Sequence, residues 1–133
     1  MYIDGAAKGN PGPAAIGVVI CRNGEVIKNI SSCIGKATNN VAEYRALLWA
    51  LEEGLMLKAE NIKINTDSLL LCNQINKIYK VKNANICGLY TQAVNLIKEF
   101  KNFEIVHISR KDNAGADKLA NRAIKETVNK RSL

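Results

Sequence analysis

The feature that most constrains the fold is a change of hydrophobic period near residue 40. Before it, apolar residues come in short β-type runs: residues 1–7 alternate, Ala14 to Arg22 runs through Ile16, Val18, Val19 and Ile20, and Glu25 to Ile34 resumes the pattern. Gly9-Asn10-Pro11-Gly12-Pro13 supplies a turn between the first two runs, and Asn23-Gly24 separates the second from the third. Both Asn and Gly tolerate the positive φ angles of a two-residue hairpin turn, so three consecutive antiparallel strands are expected. After it, Val41, Tyr44, Leu47, Leu48, Leu51 and Leu55 recur at three and four residues, which is one face of an amphipathic helix. Asn40 is placed to cap that helix, with Glu43 three residues on completing a box-like pattern.

Alternation returns at Ile62 to Asp67, and Ser68 then caps a short helix reaching about Ile78. A turn-like Lys80-Val81-Lys82-Asn83 precedes a helix with Ile86, Leu89, Tyr90, Ala93, Val94, Ile97 and Phe100 on one face. Phe103 to Ile108 reads as the last strand and Asn113 to about Val128 as the last helix. The order βββαβααβα implies an α/β chain with a five-stranded mixed sheet, its hairpin-built half followed by alternating units that favour parallel strands.

With 133 residues, 47% of them hydrophobic and 23% charged, the chain can bury the core of one domain. That domain is expected over residues 1–128, with 129–133 a short frayed tail. No run is long enough to span a bilayer, and Met1-Tyr2-Ile3-Asp4 enters a strand without a basic and then apolar leader, so no membrane and a cytoplasmic address are expected. Cys21, Cys33, Cys72 and Cys87 form no Cys-x-x-Cys pair and no zinc spacing, and read as buried free thiols. A net charge of +7 favours a polyanionic partner, although the basic residues are spread along the chain.

Three acids sit where structure alone gives them little reason to be. Asp4 lies inside an apolar first strand, Glu43 in the first turn of the first long helix, and Asp67 at the end of a strand containing Ile62 and Ile64. Burying an unpaired carboxylate costs several kcal/mol. Asp117 is a fourth, one turn into the last helix. Singly, each has an ordinary explanation: Glu43 a cap, Asp67 a helix start, Asp4 a turn acid before Gly5, Asp117 a solvated helix N-terminus. Together, on elements that should lie side by side, they make a metal site the economical explanation. Oxygen-only ligands suit Mg²⁺ or Mn²⁺ over zinc. Two such ions about 4 Å apart serve phosphodiester hydrolysis.

The chain resembles the ribonuclease H type 1 family over nearly its whole length. The matching motifs are Tyr2-Ile3-Asp4-Gly5-Ala6 with Gly9-Asn10-Pro11-Gly12-Pro13, Thr38-Asn39-Asn40-Val41-Ala42-Glu43, Thr66-Asp67-Ser68, and Asn113 with Ala116-Asp117-Lys118-Leu119-Ala120. The resemblance implies the ribonuclease H fold and an endonuclease that cuts the RNA strand of RNA–DNA hybrids, leaving 5′-phosphate and 3′-hydroxyl ends. It implies that Asp4, Glu43, Asp67 and Asp117 hold two Mg²⁺ ions, with Asp4 shared between them and Mn²⁺ able to substitute. Gly9, Asn10, Asn39 and Asn40 would face the minor groove and pair with ribose 2′-hydroxyls, the groups that separate RNA from DNA. Thr38 and Asn83 resemble positions that hold a DNA-strand phosphate.

Two departures from the family pattern stand out. Many members carry a mobile His before the last helix, where this chain has Ser109-Arg110-Lys111-Asp112-Asn113; Arg110 is the candidate replacement. The one His, His107, lies inside the preceding strand and reads as structural. Some members also carry an extra helix and basic loop where only Lys77-Ile78-Tyr79-Lys80-Val81-Lys82 is found, so substrate affinity should be weaker and salt-dependent. Lys8, Lys36, Arg45, Lys80, Lys82 and Lys111 are candidate phosphate contacts, while Tyr44, Trp49 and Tyr90 read as packing residues. No obligate protein partner is evident. Three other readings differ in their demands: a relative that also cuts double-stranded RNA, a silent nucleic-acid-binding module, and a nucleotide-binding protein using Gly9 to Gly12 as a phosphate loop. The last lacks the helix N-terminus such a loop needs.

Overall fold

The computed structural model describes residues 1–131 of the chain. Its hairpin turns where the sequence places it. Asn23 and Gly24 have φ of 52° and 82° and join β2 (Gly12–Arg22) to β3 (Glu25–Ala37), with Arg22 opposite Glu25. On its other edge β2 pairs antiparallel with β1 (Tyr2–Ala7), Asp4 lying opposite Gly17. β4 (Asn61–Thr66) then adds parallel to β1, and β5 (Asn102–His107) parallel to β4. The sheet order is β3-β2-β1-β4-β5, five strands of mixed direction as expected.

Alternate residues of a strand point to opposite faces, and β3 shows what covers each. Lys28 Nζ bonds Glu53 of α1 (Asn39–Met56) at 3.0 Å, and the next inward residue, Ile30, joins the main core. Ser31 Oγ instead donates to Leu119 O of α4 (Ala114–Arg131) at 2.6 Å, and Cys33 Sγ bonds Ala123 O. α1 therefore lies on one face and α4 on the other. The main core, on the α1 side, packs Ile3, Ile16, Val18 and Ile64 against Tyr44, Leu47 and Leu51, with Leu71 of α2 (Leu69–Ile75) and Ile86 of α3 (Ala84–Ile97) closing it. Tyr44, Trp49 and Tyr90 all pack on this core, as read from the sequence, and the Tyr44 hydroxyl donates to Gln74 Oε1 at 2.7 Å.

Several boundaries differ from the sequence reading. Thr38, and not Asn40, caps α1: its Oγ1 accepts from Val41 N at 3.2 Å, and Glu43 is not part of a capping box. Ser68 does cap α2, but the helix stops at Ile75 because Lys77 turns to φ 65°. Phe100 is buried, yet lies beyond the end of α3 at Ile97. A 3-10 turn, Lys111–Asn113, precedes α4, whose backbone carries on through residues 129–131, which the sequence places in the tail; Ser132 and Leu133 lie outside the described residues. The four thiols are unpaired, but only Cys72 is buried, while Cys33 and Cys87 are exposed. Among the described residues no helix is long and apolar enough to cross a membrane.

Candidate active site

Two glycines let helices approach the sheet at the point where the acids meet. A Cβ on Gly5 would lie 2.2 Å from the backbone of Ala42, and one on Gly17 would lie 2.1 Å from the carbonyl oxygen of Ala116. The missing side chains bring Glu43 of α1 down to β1 from one face. They bring the first turn of α4, with Asp117, down from the other. Asp4, on the strand between them, and Asp67, immediately past the end of β4, complete the group.

Asp4 and Glu43 are almost fully buried, at 5% and 4% exposure, and Asp67 is half-buried. One oxygen from each of these three carboxylates falls within 4.8 Å of the others. Asp117 stands at the rim with 29% of its side chain exposed, near enough for its charge to act on Asp4. Burial first, and then the Asp67 charge, pushes the Asp4 carboxyl up to about 7. Glu43 is raised well above the ordinary carboxylate range, by burial first and then by Asp4.

The hydrogen bonds at Glu43 explain why an acid tolerates this place. Pairing between β1 and β4 ends at Ile3 with Thr66, so the next part of β1 has no neighbouring strand on that side. Glu43 Oε1 accepts from the Gly5 N–H at 3.2 Å. Glu43 Oε2 is buried with no partner. An oxygen-only donor set, two buried acids disfavoured as anions and one orphaned carboxylate oxygen together fit a hard divalent cation. Asp4, Glu43, Asp67 and Asp117 are the residues that could hold it.

Asn113 is a feature the sequence reading used only as part of a motif. It is fully buried, and its Nδ2 donates to Ile3 O at 2.8 Å and to Asp67 Oδ2 at 3.4 Å. One amide therefore ties the entrance of α4 to β1 next to Asp4 and to the acid at the end of β4. An amide between acids in the motif was the available clue, but its burial depends on tertiary packing. Asn113→Ala is expected to leave the Ile3 carbonyl unpaired and lower stability by about 1–3 kcal/mol, read from urea unfolding in chelator. No change in the unfolding midpoint would show that this tie contributes nothing.

The other residues named from sequence fall into two groups. Asn10 Oδ1 accepts from Asn39 N at 3.1 Å, which joins exposed Gly9 and Asn10 of the β1–β2 turn to half-buried Thr38 and exposed Asn39 and Asn40 at the start of α1. Asn83 sits apart at the N-terminus of α3, where its Oδ1 accepts from Asn85 N at 2.8 Å. Arg110 is exposed, with Nη2 3.7 Å from Asp117 Oδ1. His107 ends β5 opposite Thr66 and is exposed.

Residues 2–123 match the family model described as reverse transcriptase-like. Ribonuclease H of Pseudomonas putida is 34% identical over 147 residues, covering 98% of this chain and 96% of the relative. The crystal structure of RNase H1 from the halophilic archaeon Halobacterium salinarum superposes with a TM-score of 0.91 at 36% identity, over 94% of this chain and 96% of that one. The chain belongs to the ribonuclease H type 1 family. Another family member, LC11-RNase H1 from compost, was crystallised with an RNA/DNA hybrid and superposes with a TM-score of 0.89 at 40% identity over 96% of both chains. The match to longer members is partial: the chain spans 34% of its mycobacterial relatives and 62% of Halobacterium ribonuclease HI. Family membership accounts for the five-stranded mixed sheet.

Proposed function

We propose that this chain is an endoribonuclease that hydrolyses the RNA strand of RNA–DNA hybrids, leaving 5′-phosphate and 3′-hydroxyl ends. The observation that carries the reading is the buried carboxylate cluster with its unpartnered Glu43 oxygen, in a chain of this family. Asp4, Glu43, Asp67 and Asp117 would hold two Mg²⁺ ions, with Mn²⁺ able to substitute. When bound, the ions supply an activated water and stabilise the leaving oxygen of the phosphodiester.

The rest of the work falls to hydrogen-bonding groups that the fold leaves free. Asn10 has used its carbonyl on Asn39 N, so its Nδ2 protons remain to meet a ribose 2′-hydroxyl, with the exposed amides of Asn39 and Asn40 beside it. Thr38 accepts from Val41 N, which leaves its own hydroxyl proton for a phosphate. Asn83 likewise accepts through Oδ1 and keeps Nδ2 for a phosphate, at the positive end of α3. The first group reads the sugar of one strand and the second holds the backbone of the other. Four unpaired thiols suit a reducing compartment such as the cytoplasm.

A second reading is favoured by one property of that surface. Thr38 and Asn83 offer donors that a phosphate satisfies whichever sugar carries it, so double-stranded RNA is a candidate second substrate. The deciding experiment incubates purified protein with end-labelled RNA–DNA hybrid, RNA duplex and DNA duplex, each with Mg²⁺, Mn²⁺ or chelator. Metal-dependent cutting confined to the RNA of the hybrid is the expected result. Comparable cutting of the RNA duplex would establish the broader activity, and binding without cutting would leave a silent module.

Arg110 is assigned the place of the missing loop His, moving the Asp117 side of the site between bound and released product. Arg110→Ala is expected to lower kcat by roughly tenfold, with a smaller change in KM, because the guanidinium is exposed and its ion pair with Asp117 is loose. Unchanged steady-state kinetics would remove Arg110 from the site.

A further inference from the structure

An open groove of about 990 Å³ runs between α4 and the β2–β3 hairpin, and none of the roles above uses it. Asp117 stands in its wall, so it begins where the carboxylate cluster ends. Lys118, Arg122 and Lys125 line it from α4, all three exposed, at the spacing of one helix face. Val19 and Val26 line the opposite side, Val26 with 58% exposure. Arg122 has a partner in Glu126 at 4.0 Å, but both side chains are well exposed and such a pair yields to a phosphate at little cost.

A row of cations facing apolar side chains matches the two aspects of a single nucleic-acid strand, phosphates and base faces. The strand that reaches the groove is fixed by where the groove starts. If the cluster cuts RNA, the strand lying over Asp117 is the RNA strand. Bases still paired in the hybrid face their complement, so only an unpaired stretch can turn them to the valines. Lys118 to Lys125 spans about 10 Å along the helix, or about three nucleotides at the rise of a stacked strand.

We propose that this groove binds an unpaired stretch of the RNA strand adjoining the cleavage site, where a hybrid gives way to single-stranded RNA. The proposal rests on the hybrid-cleaving reading and assigns that site a preference for junctions.

The test measures fluorescence anisotropy with Mg²⁺ in an Asp67→Asn background, which keeps the substrate intact. It compares a blunt hybrid with hybrids carrying a short unpaired extension of RNA, at the 5′ or the 3′ end, or of DNA. One of the two RNA-extended hybrids should bind about five- to tenfold more tightly than the blunt one. Adding Arg122→Gln with Lys125→Gln should abolish that gain, reduce its salt slope by about 1.4, and change blunt-hybrid affinity less than about twofold. An equal gain from a DNA extension, or a gain that survives the double substitution, would overturn the groove assignment. Binding of the blunt hybrid with no gain from RNA extension would overturn it alone, whereas no binding of any hybrid would overturn the functional reading beneath it.

Discussion

Asp4→Asn is expected to cut turnover of a hybrid by about a thousandfold or more and, in chelator at pH 8, to leave the protein more stable than the parent. The two effects have one cause. Asp4 is 5% exposed and shares a 4.8 Å cluster with Glu43 and Asp67, so its negative charge is costly unless a cation neutralises it. Metal-assisted charge stabilisation supplies several kcal/mol to phosphodiester hydrolysis, and about 4 kcal/mol corresponds to a thousandfold in rate. Asn has nearly the same shape, gives up the charge, and brings an N–H₂ group into a site where Glu43 Oε2 lacks a donor. Relief of repulsion should stabilise the metal-free protein by about 1–3 kcal/mol. Steady-state kinetics with Mg²⁺ and thermal unfolding in chelator check the two halves separately. An Asp4→Asn protein that melts below the parent in chelator at pH 8 would show that the cluster carries no such conflict.

The same trade explains which parts of the molecule were legible in the sequence. Elements that answer to local rules were plain: Asn23-Gly24 turns the hairpin, the Leu47, Leu51 and Tyr44 face of α1 packs on the sheet, and Ser68 caps α2. The four acids were also visible, not singly, since each alone has an ordinary local explanation, but as a set; the structure gathers Asp4, Glu43 and Asp67 and stands Asp117 at their rim. What local rules could not show is how Glu43 is held. Its spacing from Asn40 imitates a capping box, yet Thr38 does the capping and the Glu43 carboxylate answers the Gly5 N–H instead. That N–H is open because β1–β4 pairing stops at Ile3 with Thr66, an accident of register between strands about sixty residues apart in sequence. Asn113 escaped for the same reason: its role lies in Ile3 O and Asp67 Oδ2, both distant in the chain. Arg110 was placed by analogy, and its proximity to Asp117 follows from the 3-10 turn that redirects the chain before α4.

In the metal-free protein, stability should fall as pH rises from about 4 to about 7, the reverse of ordinary acid denaturation. Asp4 titrates near 3.8 when unfolded and is pushed to about 7 in the fold, and Glu43 is raised from 4.5 in the same direction. Between those limits the native state binds more protons than the unfolded one, so each rise in pH favours unfolding. Below about pH 4 Asp4 is protonated in both states and its contribution is fully present; above about pH 7 it is lost, and Glu43 acts in the same sense. A tenfold difference in proton affinity between the folded and unfolded chains is worth about 1.4 kcal/mol, so the rise of Asp4 from 3.8 to about 7 contributes about 4 kcal/mol at most, on the order of 10 °C in Tm for a domain of this size, and Glu43 acts in the same direction. Divalent cations act in the opposite sense, since they bind only the ionised cluster. Adding Mg²⁺ at pH 8 should recover most of the lost Tm, and adding it at pH 5 should do little. Thermal scans at the two pH values, with Mg²⁺ or chelator, give all four numbers. Equal Mg²⁺ shifts at both pH values would mean that the cation binds elsewhere. A chelated protein that melts higher at pH 8 than at pH 5 would mean that other groups, paired as anions in the fold, outweigh Asp4 and Glu43.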